Sequence, residues 1–479
     1  MKLQFLGATG TVSGSKYLLQ HGTRKILIDC GLFQGYKQLR LRNWSPLPVD
    51  PADIDAVILT HAHIDHSGYL PLLVRNGFRG RIHCTAATRD LCAILLPDSA
   101  RLQEEEANYA NRHDFSRHKP ALPLYTEQDA MRSLKQFMAH DYERAIDLGQ
   151  DISAQLHPSG HLLGSAFVRI TAGGQSVLFS GDLGRPDDAV MHAPMRIAST
   201  DYLVIESTYG DRSHEPEDPR IKLAAVINRT VARKGVVIIP AFAVGRTQSL
   251  LHYIHQLKAT GKIADTPVYL NSPMATNATH LFMTHRKEHR LGPVDCEAMC
   301  RAAKIVNTPE ESKALNRRKG PMIIIAGSGM ATGGRVTHHL TAFAPDARNT
   351  ILFTGHQAGG TRGARILAGE AAVKIHGEMV PVRAEVAIIN NLSAHADCNE
   401  IIGWLHGFET PPRRTFITHG EPGPADALRQ RIDKDLGWPC EVPDYLETVA
   451  LDIGAPGQRT SPQPAAMPAG TARLIDPGQ

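Results

Sequence analysis

Apolar positions follow two rhythms along the chain. Over the first 205 or so residues, short apolar and β-branched runs alternate with turn residues: "KILIDCG", "AVILT", "RIHCT", "VRITAG", "SVLFSGD" and "DYLVIEST". Runs of four to seven residues bounded in this way predict strands. One stretch departs from that rhythm, because Leu91, Leu95 and Leu96 recur at helical spacing and predict a helix over 87–118. From about 206 the pattern becomes strand, loop and amphipathic helix, in "GVVIIPAFAVGRTQSLLHYIHQL" and "PMIIIAGSGMATGGRVTHHL", with the shorter "PVYLNSPMA" and "TILFTGHQAGG". That alternation predicts a parallel sheet covered by helices. After about 375 short strands return in "VAIIN" and "RTFITHGE", and the Pro/Gly/Ala-rich end beyond about Ala455 reads as a disordered tail.

Composition narrows the class without choosing a function. The chain has 479 residues, enough for a large core and more than one domain, and is 42% hydrophobic and 21% charged. A net charge of +4 permits a polyanionic partner but does not demand one. No apolar run approaches a membrane span, and "MKLQFLGATGTVSGSKYLL" lacks the pattern of a signal peptide. Seven scattered cysteines fit a reducing compartment. A cytoplasmic protein without a membrane partner is expected, with Cys296 and Cys300 as neighbours on one helix.

The chemistry concentrates in "ILTHAHIDHSGYL", where His61, His63, Asp65 and His66 crowd a turn directly after an apolar run. Three more places repeat that grammar. His161 lies in the Gly-flanked turn of "LHPSGHLLGS", Asp182 follows the run "SVLFSGD", and His419 follows "RTFIT". Imidazole and carboxylate without thiolate suit zinc. Seven ligand-type residues exceed one tetrahedral site and fit two metals, with His61 and His63 on one, Asp65 and His66 on the other, and Asp182 as bridge.

With these residues in hand the chain resembles the metallo-β-lactamase fold superfamily, and within it the β-CASP branch that processes nucleic acids. Asp29 in "LIDCGLFQG" stands at the first superfamily motif, His61 to His66 at the second, His161 at the third and Asp182 at the fourth. The branch adds Glu206 in "VIESTYGDRSH", His395 in "NLSAHAD" and His419. Histidine at the His395 position marks the RNA-directed members. "PAFAVGRTQ" and "GSGMATGGR" are similar to the pre-mRNA 3′-end-processing endonuclease and its short prokaryotic relatives. The resemblance implies an αββα sandwich formed by residues 1–207 and 376–455, with an α/β β-CASP domain inserted at 208–375. Two departures stand out: the N-terminal RNA-binding modules of archaeal relatives are missing, and His356 and Ala364 stand where an aromatic and an arginine are expected.

The resemblance further implies two zinc ions and an endoribonuclease acting on single-stranded RNA. A hydroxide held between the metals would attack the scissile phosphorus, leaving 5′-phosphate and 3′-hydroxyl ends. His395 would be the general acid, held by Glu206, while Asp65 and Asp182 space the metals and Asp29 supports the site. Gly-rich loops before helices suggest phosphate contacts at Ser328, Arg335 and Arg362, and "DRSH" adds Arg212 and His214 near the scissile strand. A homodimer is left open. Rival readings are a 5′-to-3′ exoribonuclease with the same site, a thioester or lactam hydrolase on the same fold, and a non-catalytic RNA-binding scaffold.

Overall fold

The computed structural model describes residues 1–114 and 116–451, so the expected tail lies outside them. Two seven-stranded sheets face each other. In spatial order the first runs Thr448–Ala450, Lys2–Phe5, Tyr17–His21, Arg24–Ile28, Ala56–Ile58, Arg81–Thr85 and Phe137–His140. The second runs Cys440–Glu441, Arg414–Thr418, Tyr202–Glu206, Gln175–Phe179, Ala166–Ala172, Ile152–Pro158 and Ile146–Gly149.

Strand periodicity explains why both faces of each sheet are covered. Along Tyr202–Glu206, Tyr202 and Val204 join the core between the sheets, while Leu203 and Ile205 turn outward onto the helices Cys398–Leu405 and Pro422–Leu436. In the first sheet Ile26 and Ile28 point inward, whereas Leu27 packs on the outer layer with Leu70, Leu91 and Leu96. A one-residue slip would exchange these faces, so burial on both sides fixes the register. The result is the expected αββα sandwich. Its helix Ala86–Arg112 stops six residues before the sequence reading, and at its end the Asn111 side chain bonds the Ala121 backbone.

The chain leaves the sandwich after Tyr202–Glu206 and builds a third sheet. Its order is Lys304–Ile305, Val268–Asn271, Met322–Ala326, Val236–Pro240, Thr350–Phe353 and Glu385–Ile388, and every pairing is parallel. Val237 and Ile239 face one apolar layer, Val236 and Ile238 the other, as a parallel sheet with helices on both sides requires. One expectation is corrected. "VAIIN" does not return to the sandwich, because Glu385–Ile388 adds to the edge of Thr350–Phe353. The inserted sheet therefore extends past residue 375 and the chain re-enters the sandwich only beyond 388. Among the described residues no helix is long and apolar enough to cross a membrane.

Candidate metal centre and active site

Each ligand-type residue sits just beyond a strand, and the two sheets aim those strand ends at one place. Asp29 follows Arg24–Ile28 and takes a left-handed φ of 57°. Its Oδ1 accepts from the Thr60 backbone N–H (2.8 Å) and its Oδ2 from His66 Nδ1–H (2.7 Å). The Thr60 hydroxyl also reaches Asp29 (2.9 Å) and stands 3.0 Å from His61 Nδ1. Asp29 thereby holds His66 directly and His61 through Thr60, leaving both Nε2 atoms for the site.

His63 opens the short helix Ile64–Ser67, which carries Asp65 and His66. Gly31 makes that turn fit: a Cβ there would lie 1.6 Å from the Asp65 carbonyl oxygen. His161 occupies the loop between Ile152–Pro158 and Ala166–Ala172, with its N–H bonded to Ser165 Oγ (3.1 Å). Asp182 follows Gln175–Phe179, and His419 follows Arg414–Thr418.

These seven residues converge in two groups. One ligand atom from each of His61, His63, His161 and Asp182 lies within 4.8 Å of the others, and the same holds for Asp65, His66 and His419. Asp182 belongs to both neighbourhoods, 3.4 Å from His61 and His161, 3.3 Å from His66 and 3.5 Å from His419. Ring nitrogens face one another with little to bond between them: His61 Nε2 is 3.1 Å from His63 Nδ1, and His66 Nε2 is 3.2 Å from His419 Nε2. His63 Nε2, His161 Nδ1 and Asp182 Oδ1 are buried without a hydrogen-bond partner.

Electrostatics point the same way. Burial, then neighbouring imidazoles, pushes His63 down to about 3, and His61 and His161 down as well, so these rings are neutral donors. Burial opposes ionisation of Asp182 and Asp65, yet His419 and His66 together hold both carboxyls below the usual range. Burial likewise disfavours charge on His66, but Asp182 and Asp29 outweigh it and raise that ring well above the ordinary value. Neutral imidazoles and ionised carboxylates around a place that favours positive charge are the donor set that a divalent metal centre needs.

His395 and Glu206 stand beside this cluster. Glu206 ends Tyr202–Glu206, where it is paired in register with Thr418 just before His419. Its carboxylate accepts from the Leu183 N–H (2.6 Å) and from His395 Nδ1–H (3.1 Å to each oxygen). His395 Nε2 then lies 3.9 Å from Asp182. Burial lowers the His395 pKa, but Glu206 and Asp182 raise it further, to about 9. This imidazole is cationic at neutral pH and is 19% exposed, so it faces the open side of the site.

The remaining sequence candidates are placed differently. His214 Nε2–H donates to the His395 carbonyl (2.9 Å), and its backbone N–H donates to Asp397 (2.6 Å), the residue that caps Cys398–Leu405. His214 therefore pins the loop that carries His395. Arg212 pairs with Asp211 and lies over the Tyr209 ring. Arg335 donates to Asn271 Oδ1 (2.7 Å) and to the carbonyls of Val306 and Asn307. Arg362 donates to the carbonyls of Lys374, Ala331 and Thr332, and Ser328 Oγ bonds Thr332. The donors expected to meet RNA are thus engaged by protein. His356 binds through its backbone, its N–H donating to Tyr209 Oη (3.0 Å). Sequence reasoning missed Tyr209, beside His214 and His395, and Phe242, whose ring faces His63 at 6.2 Å. Neither stands in a pattern that spacing could reveal.

Family models match three consecutive segments: the metallo-beta-lactamase superfamily over 9–225, the Beta-Casp domain over 247–366, and the Zn-dependent metallo-hydrolase RNA specificity domain over 379–443. Ribonuclease TTHA0252 of Thermus thermophilus is 36% identical over 428 residues, which is 88% of this chain and 93% of that protein. Transcription termination factor FttA of Methanosarcina mazei is 32% identical over 478 residues, 94% of this chain and 72% of that protein. A solved structure of a protein of unknown function from Enterococcus faecalis V583 has a similar fold, with a TM-score of 0.52 at 13% identity over 94% of this chain and 99% of that one.

Proposed function

The chain belongs to the Beta-Casp branch of the metallo-β-lactamase hydrolases, and from that premise we propose that it is a zinc-dependent endoribonuclease acting on single-stranded RNA. His61, His63, His161 and Asp182 would hold one ion, and Asp65, His66 and His419, sharing Asp182, the other. When bound, two such cations supply an acidified water and positive charge opposite the non-bridging phosphate oxygens.

The observation that carries the reading is the Glu206–His395 pair. It lies outside the ligand set, beside Asp182, and its imidazole keeps a proton at neutral pH. Opening a thioester at a dinuclear centre needs no such added acid, because a thiolate leaves unaided, whereas departure of a ribose 3′-oxygen does. Glu206 takes Nδ1–H, so Nε2–H is presented to that oxygen. General acid catalysis of this kind contributes about 10²–10⁴-fold. His214 and Asp397 keep the loop in place while the proton moves. The products are a 5′-phosphate and a 3′-hydroxyl. The names of the relatives, a ribonuclease and a transcription termination factor, support RNA as the substrate class.

The test is cleavage of single-stranded RNA, labelled in parallel at its 5′ and 3′ ends, by zinc-loaded wild type and His395→Ala. Internal fragments from both labels, reduced by about 10²–10⁴-fold in the variant, are expected. Mononucleotides released from the 5′ end would replace the endonuclease with an exonuclease. Failure to cut RNA by protein carrying two metals would overturn the reading in favour of a small-molecule hydrolase.

A further inference from the structure

The inserted domain reaches the metal centre through the loop 241–246, between Val236–Pro240 and the helix Arg246–Ala259. Three contacts locate it. Phe242 faces the His63 ring, and a Cβ on Gly245 would approach Leu162, the neighbour of His161, to 3.9 Å. The Arg246 guanidinium lies against Gly355, where a Cβ would sit 2.7 Å from Nη1 and 3.2 Å from Nη2. The next residue, His356, donates its N–H to Tyr209 Oη, and the Tyr209 ring is 6.2 Å from that of His395. Arg246 therefore stands on the His395 side of the cluster, behind Tyr209.

Its bonding sets it apart from Arg335, Arg362 and Arg212. Half-buried Arg246 donates to no protein acceptor and pairs with no carboxylate among the described residues. Burial lowers its pKa to about 10, with Tyr209 and Asp188 opposing, so it stays charged at neutral pH. A partly desolvated guanidinium without a partner costs free energy that an anion would recover. Arg246 also opens a fourteen-residue helix, whose positive end favours the same anion. Glycine at 355 leaves the space that the guanidinium occupies, which a Cβ would fill.

Direction along the strand follows from the acid. His395 faces the departing 3′-oxygen, so RNA on that side runs 5′-ward from the cut. Resting on the endoribonuclease reading, we propose that Arg246 binds the RNA phosphate immediately 5′ of the scissile one, gripping the leaving strand through a two-pronged hydrogen bond.

The experiment pairs Arg246→Ala with two substrates, single-stranded RNA and bis(para-nitrophenyl) phosphate, which has one phosphate only. The variant should lose ~10–100-fold in kcat/KM on RNA, the range for hydrogen bonds to a charged group, and keep its rate on the small diester. The salt slope of RNA affinity should become shallower by about 0.7, and Arg246→Lys should recover part of the loss because the charge remains without the fork. A methylphosphonate in place of that one phosphate tests the contact on the unaltered protein: it should weaken wild-type cleavage as Arg246→Ala does, and add nothing to the variant. Equal losses on both substrates would overturn the proposal, since Arg246 would then act through the shape of the centre. Unchanged RNA kinetics, or additive effects of variant and methylphosphonate, would overturn it too. Wild type unable to cut RNA would instead sink the reading on which it rests.

Discussion

Two sides of one cleft treat their polar side chains in opposite ways. On the sandwich side, His61, His63, His66, His161 and His419 bring ring nitrogens to within 3.1–3.3 Å of one another around Asp182, while His63 Nε2, His161 Nδ1 and Asp182 Oδ1 are buried without a partner. On the inserted side, Arg335 is tied to Asn271 and two carbonyls, Arg362 to three carbonyls, and Arg365 to Glu370. Buried polar groups are normally satisfied within the protein. Those three arginines obey that rule and the side chains around Asp182 do not, with Arg246 the exception among the arginines of the inserted side. Residue type alone therefore says little about function; what distinguishes the two sides is whether the fold has already supplied the partner.

The largest test of that contrast is Asp182→Asn. The amide keeps the shape but removes the charge that four imidazoles surround. Activity should fall by roughly 10³-fold, the scale of losing a group that stabilises charge at the reacting centre, and elemental analysis should find less than two metals per chain. A variant that kept both ions and its rate would show that the crowding of nitrogens around Asp182 has nothing to do with cation binding.

A smaller effect separates the acid from the ligands. In Glu206→Gln the carboxylate that raises His395 is gone, while the seven ligand-type residues remain. As the proposed general acid, His395 would serve only while protonated, so activity should be present below its pKa and lost as pH rises through it. Removing Glu206 lowers that pKa, and the alkaline fall in kcat should move to lower pH by about one unit or more with metal content unchanged. Loss of metal with no movement of the alkaline limb would assign Glu206 to the ligand set, where its proximity to Asp182 and His419 also allows it to be placed.

The same contrast explains what could be read from the sequence. All seven ligand-type residues lie within a few positions of an apolar strand, and strand ends in a layered sheet converge, so position along the chain nearly determined position in space. The parallel inserted sheet was legible for a similar reason, since "GVVIIP" and "PMIIIA" are apolar throughout and need cover on both faces. The boundary at 375 was not. "VAIIN" is as good an edge strand for one sheet as for the other, and only the parallel pairing with Thr350–Phe353 decides it. The arginines failed for a different reason. A guanidinium beside a glycine-rich turn looks free in sequence, but its acceptors are backbone carbonyls from distant segments, which no spacing can announce. Arg246 was overlooked for the converse reason: nothing nearby in sequence marks it as lacking a partner.

The smallest effects lie with those satisfied arginines. Arg335→Ala would leave buried Asn271 Oδ1 without its donor, while Asn271 Nδ2 remains bonded to Ser312 (2.7 Å). Such an orphaned acceptor costs about 1–3 kcal/mol, so the denaturation midpoint of the metal-loaded protein should drop, with RNA affinity and its salt slope unchanged. Arg365→Ala removes an exposed, solvent-screened ion pair with Glu370 and should leave the denaturation midpoint nearly where it is, again with no change in RNA binding. Each variant loses one charge, so any general weakening of attraction for RNA would appear equally in both and cancel in their comparison. A phosphate contact at Arg335 would appear as a shallower salt slope in that variant alone. That result would erase the distinction between the two sides of the cleft, because a guanidinium fully engaged by protein would then also be an RNA ligand.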